Sequence, residues 1–583
     1  MPVRNPDPSP DRPFEIGLVL AGAVSAGAYT AGVVDFLVQA LDEWQKAKDE
    51  RRPNCPPHQV RLKVLAGASA GGITAGLTAG LLQMDFESAT VLPPPGGTLH
   101  PRNNNLYESW VNAIDIASLL DTEDLARDDL APVQSLLDSS VLDRLAARAF
   151  QFDDPDARRY RPYVNDPLHV LLTVTNLRGV PYAFQFLNYK NQTQYEMTYH
   201  ADYMDFVVGA SPLPDDGAVW LKPYDFANRE TWGALGDATL ATGAFPFGLA
   251  PRPLKRKASA YAHREWRVPG ECVDEGGALY CELWKTIPPV WPPAIRDDPN
   301  AVYEFLCVDG GMTNNEPLDL ARRRLAGKAG TNPREGDKAI RAVIMVDPFP
   351  RVMPYDPAYQ PRSSLFGLIA LTFNGLIAQA RFRPEELALA DDPEVYSRFL
   401  IIPRSGTRPD GTPEPRTIAG SALEGFGGFL SQRFREHDYQ LGRRNCQWFL
   451  QQYFALPAVG GRKNALFDHW TDEARREYRV VIRRRGQDPE PTELLPIIPL
   501  LGSARELVPR PAWPRLKRAE LHARRPQIER RLNLLVDRLL TQNVSGWFAS
   551  NAGRLAWTFQ RGQVIDMIIR YLETDLIARD LLT

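Results

Sequence analysis

The chain is expected to be an α/β protein built on a largely parallel sheet, and three observations point there. Near the start, residues 15–20 (EIGLVL) lead through a small-residue loop into a helix running from position 28 to about 51. Residues 61–66 then lead through a second tight turn into a helix that ends near 84. Further apolar runs of strand length recur at 169–176, 305–308 and 341–349, with Asp309 just after the second and Asp347 near the end of the third. Successive strand–helix units favour parallel strands with helices on both sheet faces. In the first helix Val33, Phe36, Leu37, Ala40 and Leu41 fall at i, i+3, i+4, i+7 and i+8, an apolar stripe for the sheet. In the second, Ile73, Leu77, Leu81 and Leu82 do the same, with alanine between them.

The other elements follow in chain order. Residues 1–14 are rich in proline and charge and read as a disordered lead-in. Residues 15–350 form the α/β domain, interrupted by an insertion at about 85–300. Within it, 93–97 (PPPGG) breaks any helix, 106–149 reads as helical with an acidic exterior, and 169–176 (HVLLTVTN) reads as a strand whose partner is 182–187 (YAFQFL). Residues 284–296 (WKTIPPVWPPAIR) are too rich in proline for a regular element and read as a surface loop, with contact to lipid as the alternative. Residues 351–583 are expected to be mainly helical and packed on or beside the domain. They comprise an apolar helix at 364–380, a helical hairpin or broken helix at 425–453, a hydrophobic proline-containing segment at 492–501, and a helical tail at 527–582. Residues 475–531 carry 15 Lys/Arg against 7 Asp/Glu. A solvated helical face is the plain reading; attraction to anionic headgroups is the other.

Composition narrows the classes. With 583 residues, 44% hydrophobic, 24% charged and a net charge of −3, the chain is an ordinary soluble globular protein with no bulk attraction to nucleic acid. Five scattered cysteines without a C-x-x-C argue against a zinc site or disulfide framework, and no metal or cofactor is expected. The uncharged stretches 16–34 and 64–84 are long enough to span a membrane, but both are punctuated by glycines that mark turns. A signal peptide is rejected because its cleavage would remove the first strand–loop–helix unit. The expected location is cytoplasmic.

The chemistry concentrates at the second turn. Gly67-Ala68-Ser69-Ala70-Gly71 is a G-x-S-x-G between strand and helix, the context of a nucleophile elbow. A strained turn exposes the serine hydroxyl, and small neighbours (Gly67 and Gly71) let strand and helix close around it. A tight turn with a bystander serine has the same pattern. The first loop, Gly22-Ala23-Val24-Ser25-Ala26-Gly27, lacks the middle glycine of a dinucleotide fingerprint, and no G-K-[ST] follows either loop. Its better use is to aim backbone N–H groups at an oxyanion beside Ser69; a plain strand–helix connection is the alternative. Asp309 stands at a strand tip, held by the Gly310-Gly311 turn. Asp-Gly-Gly is also simply a good turn.

Four blocks in order, the loop at 22–27, the G-x-S-x-G at 67–71, ATGAFPFGLAP at 241–251 and VDGGMTNNEP at 308–317, resemble the patatin-like phospholipases. The resemblance implies a three-layer α/β/α sheet carrying large helical insertions and a helical C-terminal extension, and lipid acyl hydrolysis by a Ser–Asp dyad without histidine. Ser69 would be the nucleophile and Asp309 the general base; N–H groups of Gly22, Ala23 and Val24, with Ala70, would form the oxyanion hole. The loop departs from the family's G-G-G-x-[RK]-G, since only its outer glycines survive and Ala26 replaces the basic residue. The implied partner is a lipid or ester substrate, with peripheral membrane contact through 284–296 or 475–531. Two rivals stand beside this reading. One is a Ser-Asp-His triad using His437 or His469, the former read as a surface histidine. The other is a catalytically impaired lipid-binding or scaffold protein.

Overall fold

The computed structural model describes residues 5–583 except 92–96, 127–131, 151–154, 186–193, 214–216, 269–282, 299, 351–367, 369–374, 377, 382–391, 393, 408–411, 413, 461–462, 483–491 and 544–546. Its strands are β1 (Phe14–Leu20), β2 (Val60–Gly67), β3 (Val164–Gln185), β4 (Gln194–Val208), β5 (Val219–Leu221), β6 (Arg252–Lys257), β7 (Glu265–Val268), β8 (Leu283–Thr286), β9 (Val302–Asp309), β10 (Arg341–Val346), β11 (Arg398–Ile401), β12 (Ala455–Pro457), β13 (Val480–Ile482) and β14 (Thr492–Pro496). Nine of them form one sheet in the order β11-β10-β1-β2-β3-β4-β5, with β9 paired to the far half of β3 and β6 to β9. The strands from β11 to β3 run parallel, and β4 and β9 are antiparallel to β3.

Parallel strands covered on both faces must be apolar nearly throughout. All six residues of β10 are buried, and so is β1 apart from Glu15. One face is covered by α1 (Gly27–Asp49) and α2 (Ser69–Leu81), joined by α3 (Ser140–Ala149) and α4 (Trp232–Thr242). On the other, Leu318, Ala321 and Leu325 of α5 (Leu318–Ala326) pack on Val19, Val64, Leu171 and Val343. The fold is therefore three-layered α/β/α. A further layer lies outside α1, where α6 (Gln432–Gln452) runs along it with the buried pair Arg443–Asp35 (2.9 Å) between them. The tail forms α7 (Arg525–Asn543) and α8 (Trp547–Ala578), as its periodicity predicts. Helix Val24–Asp49 is long and apolar enough to cross a membrane, but 94% of its apolar window is buried within the protein.

Several expectations are corrected. The stretch read as an insertion supplies β3, β4, β5 and β6 to the central sheet, so it is not an appendage. Its segments 169–176 and 182–187 are not partners. Both lie along β3, separated by a register shift between Thr175 and Val180, and their shared partner is β4. Gly179 sits at that shift with φ +73° and its N–H bonded to Asn176 Oδ1 (2.8 Å), which makes it a bulge instead of a turn. Among its described residues, the region 106–149 holds only short helical pieces besides α3. Residues 284–296 contain part of β8 and one helical turn, Pro293–Arg296, and the Trp291 ring packs on Tyr303 (4.9 Å).

After residue 350 the chain is interleaved with the domain: β11 extends the sheet, and β12, β14 and β13 make a small sheet of their own. The 425–453 stretch holds one unbroken helix, α6. The basic stretch 475–531 is no single helical face, since it includes β13, β14 and the start of α7. Several of its arginines are spent on pairs, Arg505 with Glu477 (2.8 Å) and Arg531 with Asp124 (2.8 Å). In the lead-in, Asn5 Nδ2 donates to Thr331 Oγ1 (3.0 Å), so residues 5–13 are attached to the domain. The 364–380 expectation and Cys272 and Cys281 lie almost wholly outside the described residues, while Cys55, Cys307 and Cys446 are free thiols.

One helical glycine is placed where packing does not require it. A Cβ on Gly236 in α4 would meet nothing closer than Phe150 Cδ2 at 3.7 Å. Glycine within a helix loses backbone entropy relative to alanine. Gly236→Ala is expected to stabilise the protein by about 0.5–1 kcal/mol, read as a higher melting temperature.

Candidate active site

The site lies at the C-terminal ends of β1 and β2 and beside residues 173–175 in the middle of β3, close to where ligands of open parallel sheets bind. β2 ends at Gly67, Ala68 is extended, and Ser69 opens α2 with φ +53°, a left-handed conformation that costs a non-glycine residue energy. The turn leaves no room for larger neighbours. A Cβ on Gly71 would sit 2.0 Å from the Leu20 carbonyl oxygen, and one on Gly67 2.5 Å from that of Gly71. The elbow is thus in the predicted strand–turn–helix context, with the Ser69 N–H donating to Thr242 Oγ1 (3.0 Å) at the end of α4.

Asp309 comes to it from the tip of β9. Ser69 Oγ donates to Asp309 Oδ2 at 2.6 Å, joining residues 240 positions apart. Asp309 is held at several points: Gly311 N–H donates to its Oδ1 (2.7 Å), its own N–H donates to the Ala244 carbonyl (2.8 Å), and Thr175 Oγ1 donates to its backbone oxygen (2.8 Å). Gly310 is wedged against β3, where a Cβ would lie 2.2 Å from the Thr173 carbonyl oxygen. Asp309 is 3% exposed. Burial pushes its carboxyl up to about 7, against the pull of the hydrogen bonds from Ser69 and Gly311.

The surrounding pocket is apolar and tight, with a cavity of about 40 Å³. Ile73, Trp110, Leu137, Phe245, Phe426 and Phe429 are among its walls, and Val24, Ala70 and Gly243 border the dyad. No histidine lines it. His437 is buried, not a surface residue, and its ring pairs with Asp438 (2.9 Å) and packs on Trp513. His469 is exposed beside Asp11. Neither reaches Ser69.

The first loop lies against Ser69: a Cβ on Gly22 would come 3.0 Å from Ser69 Cβ. One of its expected donors is corrected. The Gly22 N–H is already bonded to the Asn315 carbonyl (3.2 Å), so it is not an oxyanion donor. Ala23, Val24 and Ala70 have no such partner among the described residues. Ala70 is the second residue of α2, one of the first-turn N–H groups that a helix leaves unpaired. Val24 has φ +47°, an outlier for a β-branched residue.

No pattern along the chain signals what braces this loop. Ser25 is buried beneath it; its Oγ donates to the Gly425 carbonyl and accepts the Gly428 N–H (3.0 Å). Asp438 of α6 in turn accepts the N–H groups of Ala419 (2.7 Å) and Gly420 (2.8 Å). On the other side Asn315 donates to the Gly22 carbonyl (3.5 Å) and to Glu316 (2.8 Å), and Arg381 bridges Glu316 (2.6 Å) and Asp347 (2.8 Å). Of these, Ser25, Asn315 and Glu316 fall within the four blocks that the sequence singled out, whereas Arg381, Asp438 and the residues at 419–428 do not. Ser25→Ala would strand the buried Gly428 N–H and loosen the loop. It is expected to lower kcat for any ester substrate by about 10- to 100-fold with KM little changed, in steady-state kinetics.

Among the described residues, no group of three or more His, Cys, Asp or Glu side chains is arranged to hold a metal ion. No family model matches the chain. It is 35% identical over 598 aligned residues to the "Uncharacterized protein y4iI" of Sinorhizobium fredii (strain NBRC 101917 / NGR234), an alignment covering 97% of this chain and 82% of that protein. At that identity and coverage, the chain belongs to the same family as y4iI.

Proposed function

We propose that this protein is a serine acyl hydrolase of the patatin-like kind, cleaving lipid or ester substrates through the Ser69–Asp309 dyad. The observation that carries the reading is the 2.6 Å hydrogen bond from Ser69 Oγ to Asp309 Oδ2, in a pocket without histidine. A carboxylate is a weak base at its ordinary value. Buried and pushed up to about 7, Asp309 is matched to taking a proton near neutrality. In the first half-reaction Asp309 accepts the Ser69 proton, Oγ bonds to the acyl carbon, and the alcohol departs with that proton. In the second, Asp309 takes a proton from water as the water oxygen bonds to the acyl carbon, then returns that proton to Ser69 Oγ as the Oγ–carbon bond breaks and the acid leaves.

Negative charge on the former carbonyl oxygen would fall to the N–H groups of Ala23, Val24 and Ala70, each such donor being worth on the order of 10²–10³ in rate. The aromatic and aliphatic walls suit an acyl chain and keep water from the base. With about 40 Å³ free, the walls must part to admit a chain of any length.

The test is a panel of p-nitrophenyl esters of rising chain length, run with labelling by a fluorophosphonate. Wild type is expected to hydrolyse esters and to take the label at Ser69, and Ser69→Ala to lose both. Turnover retained in Ser69→Ala would refute the dyad; an intact wild type inert to both ester and label would favour the non-catalytic lipid-binding reading.

A further inference from the structure

A cavity much larger than the one at the dyad lies elsewhere in the molecule. A groove of about 780 Å³ lies between α3, the loop before α4 and α4 itself, against about 40 Å³ at Ser69. Its size is that of small-molecule sites. Phe150, Phe226, Trp232 and Leu240 supply an apolar floor, with the Phe226 and Trp232 rings in edge contact at 4.7 Å.

Two arginines line it, Arg158 and Arg229. The Arg158 guanidinium lies 5.5 Å from the centre of the Tyr224 ring, and neither arginine is in an ion pair among the described residues. Of the acidic groups on the same wall, Asp143 is paired with Arg252, and Asp237 feels the charge of Arg229 without an ion pair between them. The groove therefore presents two guanidinium groups outside any ion pair among the described residues, beside an apolar floor, which is complementary to an anion carrying an apolar body.

The helix wall is also shaped for an occupant. Gly233 and Gly236 stand one turn apart on α4, and both line the groove. Cβ atoms on them would make only ordinary contacts, 3.6 Å to Arg229 Cβ and 3.7 Å to Phe150 Cδ2. Internal packing does not demand glycine at either, although glycine weakens a helix. Their effect is to leave the helix backbone open to the groove. The same helix ends at Thr242, which receives the Ser69 N–H, and Gly243 and Phe245 after it line the catalytic pocket.

We propose that this groove is a second binding site, for an amphiphilic anion whose carboxylate or phosphate is held by Arg158 and Arg229 while its apolar body lies along Gly233 and Gly236. Acyl hydrolysis releases one such molecule, a fatty carboxylate, and a phosphate ester of a long-chain alcohol is the other source of the same chemistry. Only the first source rests on the hydrolase reading; the site does not.

Binding is measured by calorimetry on the full chain carrying Ser69→Ala, so that loss of activity and loss of binding are separate results. The probes are laurate, dodecyl phosphate and, as the neutral control, dodecanol, all below their aggregation concentrations. One saturable site is expected for at least one anion and none for dodecanol. Tighter binding of laurate assigns the fatty carboxylate, and tighter binding of dodecyl phosphate the phosphate ester. The surface double variant Arg158→Ala/Arg229→Ala should weaken binding by about tenfold or more, and Gly236→Leu, which fills the groove, should abolish it. Anion affinity unchanged in the double variant, or equal binding of dodecanol, would overturn the proposal.

Discussion

Replacing Asp309 by asparagine is expected to lower ester hydrolysis by about 10²–10⁴-fold and, in the same molecule, to make the fold more stable at neutral pH. The first effect follows from the loss of a proton acceptor at the Ser69 hydroxyl, since an asparagine oxygen still accepts a hydrogen bond but takes up no proton. The second follows from burial. The folded chain holds the Asp309 proton up to about 7, against an ordinary value of 3.8. Between those two values the folded state binds more protons than the unfolded state, so stability falls as pH rises through that window. Above about 7 the buried carboxylate costs the fold on the order of a few kcal/mol. Asparagine removes that cost. Melting temperatures of wild type and Asp309→Asn should converge near pH 4 and separate in favour of the variant toward pH 8. Wild-type kcat/KM should rise with pH through about 7, as the base loses its proton. A variant less stable than wild type at pH 8 would show that the carboxylate is not desolvated as described.

Gly442→Leu is expected to be among the most damaging single changes to the fold. Helices α1 and α6 touch through their backbones: a Cβ on Gly442 would lie 2.1 Å from the Tyr29 carbonyl oxygen, and one on Gly32 1.9 Å from that of Tyr439. Backbone cannot yield as a flexible side chain does, so the helices must separate and the contacts between them loosen. Those contacts include the Arg443–Asp35 pair and the Tyr439 hydroxyl on Asp35 (2.8 Å), all fully buried. A buried charge deprived of its partner is costly. The expected loss is roughly 3–4 kcal/mol, read from denaturant unfolding. Gly562→Ala in α8, where nothing lies within 4 Å, is the control and should be neutral or mildly stabilising. Activity should fall with stability in Gly442→Leu, because α1 begins where the loop beside Ser69 ends.

The residues that meet at the dyad were legible because their constraints are local. An elbow serine and a strand-tip aspartate each need small neighbours within two or three positions, and those neighbours are visible in the chain. What could not be read were pairings made at a distance. The loop at 22–27 has the composition of a donor nest, but nothing near Gly22 reveals that its N–H is taken by Asn315. Residues 169–187 look like a hairpin because Gly179 and Pro181 are turn residues, and only the continuous partner β4 makes them a bulge in one long strand. His437 stands among charged neighbours in sequence, yet the fold buries it against Trp513. The sheet order was equally hidden, since the segment read as an insertion holds four of its strands.

The bracing of Ser25 by residues 420–428 has a practical consequence for anyone dissecting this protein. Phe426 and Phe429 form part of the pocket wall, and Gly425 and Gly428 grip the serine from a position some four hundred residues downstream. A recombinant fragment stopping at 350 would keep Ser69 and Asp309 and forfeit the scaffold that aligns them. If the pair hydrolyses esters as proposed, cutting the gene there should yield two silent halves, whose co-expression restores turnover only to the extent that they reassemble.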